Sequence, residues 1–354
     1  MKNFKTGIID ANMHWLPQDL FSNETLLDLF LNATPREYGI HTRIESITND
    51  PELRQIIIEQ PKGYEVLNYA ENQYTFEGRI EDMNQAGIER AIFRLPCWQE
   101  WLSLDACKMV NDGLAEHISK APERFSALAV VPPWGSKEAI KEVEYRLTQP
   151  GFIGVQLAAH YGQLYLDAPE FKTFFKFLND LQVPVVVHHT PLPADYASIV
   201  PYTNQRRQYG RCVAQATAVG RELFSGLFDE FPNLTLIHSM LGGAFFAFTE
   251  MLFPPKLAEY HDEVDRFTAE TNQRLREQLK KNIFFDLSGA PQWGQAQLEC
   301  AVKVIGAENI LYGGSYPIRR DWFLKGADYI KQLNISSEDK NLILGENAKR
   351  IFKL

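Results

Sequence analysis

The chain has 354 residues, of which 45% are apolar and 23% charged, and this is enough apolar material for a large core in one or two domains. Its formal net charge of −9 argues against a nucleic-acid partner, because binding phosphates requires a basic face. The apolar runs are too short for a membrane span. The four cysteines lack metal or redox spacing and the N-terminus lacks a secretory pattern, so we expect a reduced, cytoplasmic protein.

The first predicted strand, residues 7–14, is apolar at its start and polar at its end. Asp10, Asn12 and His14 alternate along it, so that a regular strand would point all three side chains to one side. Few structural reasons bring an acid, an amide and an imidazole together at the end of a buried strand. The pattern therefore predicts a metal or substrate site there.

A long stretch without a clear buried strand follows, from about residue 17 to residue 78. Its mixture of aromatic and charged residues predicts helices and loops that cover the core. We interpret it as a helical lid, inserted after the first strand into a single domain that spans residues 1–354.

Beyond this insertion, strands and helices alternate regularly. The strands are mostly apolar with little polar alternation, as expected for parallel strands that are covered on both faces. Eight of them begin near residues 7, 90, 125, 152, 184, 234, 283 and 310. The simplest architecture is a distorted (β/α)₈ TIM barrel. An open doubly wound sheet is the alternative, but no Gly-x-Gly-x-x-Gly follows the first strand.

In such a barrel, the functional site is built from the C-terminal ends of the strands and the loops that follow. The polar residues at these ends are Asn12, His14, Arg94, His160, His188, His189, His238, Asp286 and Ser315. A single histidine at a strand end is usually structural. Five of the chain's eight histidines lie at these ends, however, and this concentration indicates a functional site.

Eight stretches, in order along the chain, resemble the decarboxylase-like branch of the amidohydrolase superfamily, which includes aminocarboxymuconate semialdehyde decarboxylase and γ-resorcylate decarboxylase. They are residues 9–14, 123–128, 154–157, 187–188, 231–234, 238–243, 311–317 and 346–348. The resemblance covers nearly the whole chain. It implies an enzyme with a divalent metal, zinc or manganese, and a homo-oligomer, most simply a dimer.

The resemblance also implies roles for individual residues. His14 and His188 match metal ligands on strands one and five of the family, and His238 matches a histidine that acts on substrate or water. The family's first strand usually carries a second metal-binding histidine where this chain has Asn12. Strand eight usually ends in a metal-binding aspartate, which Ser315 replaces. Without an anionic ligand, we expect the site to bind zinc or manganese less tightly than usual.

The two replacements also remove the family's usual general base. We expect His238 or His189 to transfer the proton instead, because histidine titrates near neutral pH. Ser315 and Asp286 are further candidates for the catalytic site, and a structural role for Asp286 is equally open.

Substrate binding is assigned to Asn12, Trp15, Arg94 and His160, with a second-shell or structural role equally open for His160. Arg94 stands out, because it ends an apolar strand where a charge is costly without a partner or a cavity. Other arginines and one further tryptophan are also candidates for the pocket: Arg206, Arg207, Arg319, Arg320 and Trp98.

Two functions remain open at this point. The first is a metal-dependent hydrolase or decarboxylase (a carbon–carbon lyase) that acts on a small carboxylated substrate, aromatic or conjugated. The second is a diverged, metal-free barrel that binds a small ligand or uses histidine acid–base chemistry alone. The residues Asn12 and Ser315 favour the second, and the retained histidines favour the first. Metal content discriminates between them.

Overall fold

A computed structural model describes residues 7–34, 36–73, 75–191, 197–254 and 269–354. Within these ranges, eight parallel strands form one sheet in the order in which they occur along the chain. The strands are Ile8–His14, Ile88–Arg94, Phe125–Val130, Phe152–Ala158, Pro184–His188, Thr235–His238, Ile283–Asp286 and Ile310–Leu311. Each begins within two residues of its predicted start, and the predicted barrel is confirmed.

The barrel closes between the first strand and the segment that follows the eighth. The backbone N–H of Ala11 donates to the carbonyl oxygen of Tyr312 at 2.9 Å, and that of Ser315 donates to the carbonyl oxygen of Asn12 at 2.8 Å. Met13 also pairs in parallel with Tyr316. Because the eighth strand is only two residues long, a loop completes the sheet and holds Ser315 beside Asn12.

The first strand contains an extra residue. Three steps along it, from Asp10 to Met13, match two steps on the neighbouring strand. Such a bulge reverses the alternation of side chains. Our expectation that Asp10 shares a side with Asn12 and His14 was therefore wrong. The Asp10 Oδ1 atom instead accepts hydrogen bonds from the backbone N–H groups of Asn12 and Gly314, at 2.8 and 2.9 Å.

Helices cover the outside of the barrel. Those of ten or more residues are Phe76–Ala86, Leu104–Ser119, Lys137–Thr148, Lys172–Leu181, Gly210–Phe224, Ala269–Asn282, Gln295–Ile305 and Arg320–Lys331. Between the sixth and seventh strands, where one helical segment was expected, residues 255–268 lie outside the described part of the chain. Among the described residues, no helix combines the length and the apolar character that crossing a membrane requires.

The insertion after the first strand is only partly helical. The helix Glu24–Asn32 precedes a three-stranded antiparallel sheet of His41–Ile47, Asp50–Glu59 and Glu65–Ala70. The expectation of helices and loops without a buried strand was therefore wrong. The β-branched run at residues 56–58 is buried, and such residues favour strands. Its first and last residues, Ile56 and Ile58, belong to the hydrophobic cluster that also contains residues on the outer face of the barrel.

An apolar cluster fills the lower part of the barrel interior. Its members include Ile9, Ala11, Ile92, Leu128, Val186, Ile237, Phe284 and Leu311. Arg94, His188 and Asp286 lie two residues after Ile92, Val186 and Phe284 on their strands, so they point to the same side. The interior therefore changes from apolar to polar toward the C-terminal ends of the strands.

Candidate active site

A pocket opens at the C-terminal ends of the barrel strands. Its volume is about 60 Å³, small compared with the roughly 300–1,000 Å³ typical of ligand pockets. Its lining residues are His14, Leu67, Pro96, Cys97, His188, His189, Gln208, Arg211, Met240, Ser288, Gln292, Ser315, Ile318, Arg319 and Trp322. Two of these are arginines and none is acidic, so the pocket favours an anionic ligand.

His14 and His188 face each other in this pocket, with their Nε2 atoms 3.2 Å apart. The Nδ1 atom of His188 lies 2.8 Å from the carbonyl oxygen of His189, so Nδ1 carries the proton and Nε2 presents a lone pair. The Nδ1 atom of His14 has no hydrogen-bond partner. Two imidazole nitrogens on one tetrahedral zinc ion lie about 3.3 Å apart, so this spacing suits a shared ion.

Burial keeps the imidazoles of the pocket neutral. It lowers the pKa of His14, His188 and His189 well below the ordinary value, and the nearby charge of Arg94 lowers it further in all three. A neutral imidazole with an available lone pair is the form that binds a metal ion. The electrostatics of the pocket therefore agree with the geometry of the His14–His188 pair.

Asp286 lies in the barrel interior, and its carboxylate is saturated with hydrogen bonds. Oδ1 accepts from the side-chain amide of Asn12 at 2.8 Å and from the backbone N–H and hydroxyl of Ser288 at 2.8 and 2.7 Å. Oδ2 accepts from the Arg94 guanidinium at 2.8 Å, in a fully buried ion pair. Neither Asp286 nor Arg94 lines the pocket.

The two positions that depart from the family pattern differ in their surroundings. The amide nitrogen of Asn12 is bound to Asp286 and Ser288, each at 2.8 Å, while its Oδ1 atom has no partner. Ser315 lines the pocket. The pocket thus offers two imidazole nitrogens and no carboxylate to a metal ion. This donor set fits a divalent ion that is held less tightly than one with anionic ligands.

Cys97 lies beside the histidines, which the sequence did not predict because it has no motif spacing. Its sulfur lies 3.9 Å from Nδ1 of His188 and donates to the carbonyl oxygen of His189 at 3.4 Å. Cys97, His188 and His189 offer ligand atoms that lie within 4.8 Å of one another. Burial raises the pKa of the Cys97 thiol, which keeps it protonated and favours a packing role.

His238 does not line the pocket. Its Nδ1 atom lies 2.7 Å from the side-chain oxygen of Gln215, and its Nε2 atom lies 2.8 Å from a carboxylate oxygen of Glu222. Both partners belong to the covering helix Gly210–Phe224. Because Ile237 faces the barrel interior, the next residue points outward. The expected catalytic histidine of strand six is therefore held between barrel and helix, whereas His189 does line the pocket.

Other predicted substrate contacts also lie elsewhere. The ring nitrogens of His160 contact the carbonyl oxygen of Gly162 at 2.8 Å and the hydroxyl of Thr190 at 2.7 Å. Trp15 packs against the helix Leu104–Ser119, with its ring 6.1 Å from that of His117. Of the further candidates, Arg319 lines the pocket, whereas Arg206, Arg207, Arg320 and Trp98 do not.

Arg211 and Trp322 are pocket residues that the sequence reasoning missed. Arg211 is only 9% exposed; it donates to the carbonyl oxygen of Val66 at 3.0 Å, and its Nε atom has no partner. The signal that could have revealed it is the helical spacing of Arg211, Gln215 and Glu222, which places three polar residues on the helix face turned to the barrel.

Strained backbone surrounds the pocket. Ten non-glycine residues of the described chain have positive φ angles, and four of them line this pocket: Cys97, Met240, Ser288 and Ser315. Side chains rarely adopt this conformation, and such residues cluster at functional sites. The backbone therefore marks the same pocket as the histidines do.

One strained segment forms a left-handed turn after the sixth strand. All five residues of Met240–Ala244 have positive φ angles, between 50° and 65°. A Cβ atom on Gly243 would lie 1.9 Å from the carbonyl oxygen of Cys212. The turn therefore packs directly on the helix that carries Arg211, and glycine is required at this contact.

The fold and the strand-end histidines define a barrel of the amidohydrolase type. The sequence matches the amidohydrolase family Amidohydro_2 over residues 9–354, and the chain belongs to that family. It is 28% identical over 299 residues to γ-resorcylate decarboxylase of Rhizobium sp., covering 78% of this chain and 86% of the relative. It is 25% identical over 300 residues to the decarboxylase orsB of Emericella nidulans, covering 78% and 85%.

A solved structure agrees with the fold. The dihydroxybenzoic acid decarboxylase of Polaromonas sp., with bound manganese and 2-nitroresorcinol, has a TM-score of 0.71 at 22% identity and covers 99% of this chain and 97% of its own. The predicted resemblance to the decarboxylase branch is thereby confirmed. The relatives from Rhizobium and Emericella nidulans are decarboxylases, and they support the expectation of an enzyme.

Proposed function

We propose that this protein is a decarboxylase of a small aromatic carboxylic acid. The observation that carries the proposal is the pair of neutral imidazoles, His14 and His188, whose Nε2 atoms lie 3.2 Å apart in an electropositive pocket. The decarboxylases of Rhizobium and Emericella nidulans support the reaction type. The reaction breaks the bond between the ring and the carboxylate, releases CO₂ and places a proton on the ring carbon.

His14 and His188 would hold a divalent metal ion, zinc or manganese, through their Nε2 atoms. The manganese in the Polaromonas structure supports this assignment. When bound, such an ion polarises an oxygen of the substrate and stabilises the charge that develops on the ring. Because both ligands are neutral, we expect weaker metal binding than in a site with carboxylate ligands.

Arg319 and Trp322 form one wall of the pocket and suit a flat anionic substrate. The Arg319 guanidinium lies over the Trp322 ring, 4.2 Å from its centre. The side chain of Arg319 is half-exposed. We expect it to move aside for a ring that exceeds the present volume of about 60 Å³.

His189 is the residue we assign to proton transfer, with the Ser315 hydroxyl as its neighbour in the pocket. It is the one pocket imidazole outside the His14–His188 pair. Its Nδ1 atom lies 3.2 Å from the hydroxyl oxygen of Ser239, which orients the ring. Because burial keeps the imidazole neutral, Nε2 is the atom that first accepts a proton and then passes it to the substrate.

We also propose a domain organisation, a class of partner, a cellular location and an oligomeric state. The shared hydrophobic cluster supports one domain in which the insertion covers the barrel. The acidic composition supports a small-molecule carboxylate, rather than nucleic acid or a membrane, as the partner of the protein. We propose a cytoplasmic homodimer, as the family resemblance implies.

A second candidate function is metal-free binding of a small carboxylate, or catalysis by histidines alone. The amide nitrogen of Asn12 is bound to Asp286, and Ser315 offers only a hydroxyl, so the pocket has no anionic metal ligand. This observation favours the second function over tight metal binding.

Metal analysis combined with a CO₂ assay tests the proposal. Protein purified without a chelator or a His-tag is titrated with Mn²⁺ or Zn²⁺, and CO₂ release is followed from 2,6-dihydroxybenzoate and a panel of hydroxybenzoic acids. We expect metal-dependent release that falls at least about 100-fold in His14→Ala. His41→Ala, which changes a histidine on the antiparallel sheet of the insertion, is the matched control.

Ser315→Asp provides a gain-of-function test in the same assay. Adding an anionic ligand beside the pair should tighten Mn²⁺ binding about 10-fold, measured by calorimetry. The proposal fails if no tested acid releases CO₂ with any metal, or if His14→Ala retains full activity. Retained carboxylate binding without turnover or metal would establish the second function instead.

A further inference from the structure

We propose that Arg211 binds a second carboxylate, one that stays on the substrate, so that the substrate is a planar dicarboxylate. This inference rests on the proposed decarboxylase function, because only that function makes the bound dicarboxylate a substrate. The carboxylate site itself follows from the surroundings of Arg211.

Among the residues that the structure describes, Arg211 has no anionic partner although it is buried. It is 9% exposed, it donates to the carbonyl oxygen of Val66, and no described residue accepts a hydrogen bond from its Nε atom. Arginine stays charged in proteins, and a buried charge without a counter-charge is destabilising by several kcal/mol. A residue in this setting is explained by an anion that binds beside it.

The neighbouring arginine shows the contrast. Arg207, one helical turn earlier, pairs with the Glu65 carboxylate at 3.1 Å and with the Asn68 side-chain oxygen at 3.0 Å. The Arg94 guanidinium pairs with Asp286. The residues that line the pocket around Arg211 include no aspartate or glutamate. Within the described part of the chain, no residue that lines the pocket therefore supplies a counter-charge to Arg211.

A carboxylate matches the guanidinium best. The two groups are planar and form paired N–H···O bonds, and the free Nε–H of Arg211 is one of the donors that such a pair uses.

The chemistry of decarboxylation decides which carboxylate Arg211 holds. The reacting carboxylate leaves as neutral CO₂, so an ionic bond to it is weakened as the reaction proceeds. A buried guanidinium on that group would stabilise the ground state more than the transition state and slow the reaction. Arg211 therefore suits a group that keeps its charge throughout, while the reacting carboxylate lies toward the His14–His188 pair.

Binding of two simple probes tests the inference. Benzene-1,3-dicarboxylate and benzoate are titrated into the metal-supplemented protein by calorimetry at low salt. We expect the dicarboxylate to bind at least about 10-fold more tightly than benzoate, which corresponds to about 1.4 kcal/mol, within the range of a charge-assisted hydrogen bond. Arg211→Gln should remove this preference, Arg211→Lys should retain part of it, and Arg207→Gln should leave it unchanged.

Folding and kinetics separate a binding role from a structural one. Because Arg211→Gln removes an unpaired buried charge, its melting temperature should not fall below that of the wild type. With a dicarboxylate that is turned over, Arg211→Gln should raise KM and leave kcat nearly unchanged, as expected for a group bound equally in ground and transition states. A fall in kcat with constant KM would overturn the inference.

The outcomes also separate this inference from the proposed function. Equal binding of the two probes by the wild type, or a preference that survives in Arg211→Gln, overturns the second carboxylate site even if CO₂ is released from monocarboxylates. An Arg211-dependent preference without CO₂ release from any acid supports the carboxylate site and contradicts the decarboxylase.

Discussion

Two buried polar clusters lie close together in this barrel, and they differ in whether their charges are paired. In the ion-pair cluster of Asn12, Arg94, Asp286 and Ser288, the carboxylate accepts four hydrogen bonds and has the Arg94 charge beside it. In the pocket cluster of His14, His188 and Arg211, the Arg211 guanidinium has no acidic partner among the described residues that line the pocket. Single atoms without a partner occur in both clusters, Asn12 Oδ1 and Arg94 Nε in the first and His14 Nδ1 and Arg211 Nε in the second.

This difference separates a structural role from a ligand-binding one. Burial alone does not distinguish the clusters, because both lie at or below 9% exposure. Buried charges are normally paired within the protein, and a buried charge without a partner requires an explanation. For Arg211 in the pocket cluster we propose a ligand as the explanation, whereas the charges of Arg94 and Asp286 are paired within the chain.

We expect Asp286→Asn to lower the free energy of unfolding more than any other change proposed for these clusters. It removes the counter-charge of the buried Arg94, and loss of one member of a buried pair is destabilising by about 3–5 kcal/mol. Urea denaturation measures the free energy of unfolding. Asp321→Asn, which alters an exposed pair with Arg319, should change it by less than about 0.5 kcal/mol. A similar small change for Asp286→Asn would show that the ion-pair cluster is not structural.

His238→Asn has the next largest expected effect. The substitution removes at least one of two hydrogen bonds and leaves Glu222 or Gln215 unsatisfied, which should lower the free energy of unfolding by about 2–3 kcal/mol. Turnover per folded molecule should stay unchanged, because His238 does not line the pocket. An intact fold with abolished turnover would instead support the catalytic role that the sequence predicted.

Glu100 is a further ionisable residue whose buried carboxylate makes no hydrogen bond with the described residues, and it does not line the pocket. Both carboxylate oxygens are buried without a partner, and burial raises its pKa to about 8. Its unfolded pKa is near 4.5, so between about pH 4.5 and 8 the unfolded chain loses this proton while the folded chain keeps it. The protein therefore loses stability as pH rises through this range.

Glu100→Gln removes that pH dependence. We expect the variant to gain about 1–3 kcal/mol over the wild type at pH 8 and almost nothing at pH 4, measured as free energies of unfolding in urea. The two pH values act as each other's control. An equal difference at both would show that the effect comes from packing rather than from ionisation.

Much of the fold could be predicted from the sequence, because apolar strands separated by helices are a strong and repeated signal. The positions of His14, His188, His189 and Ser315 in the pocket also follow from strand ends. What the sequence does not determine is which way a residue points when its strand is apolar on both faces. His238 follows the inward-facing Ile237 and points outward.

Two further differences between prediction and structure concern Asp10 and Arg211. The extra residue in the first strand turns Asp10 away from His14, and no residue pattern announces such a bulge. The pocket residue Arg211 comes from a covering helix rather than a strand, so a search of strand ends does not find it. Side-chain direction at the pocket thus depends on single-residue shifts that composition and periodicity do not resolve.

The left-handed turn of Met240–Ala244 has a consequence for how this protein can evolve. Loops are in general the parts of a fold that tolerate insertions and changes of composition. This turn presses Gly243 against the backbone at Cys212, so any side chain added there displaces the helix that begins beside Arg211. Substitution in this corner is therefore coupled to the position of Arg211, the residue that we propose sets ligand preference.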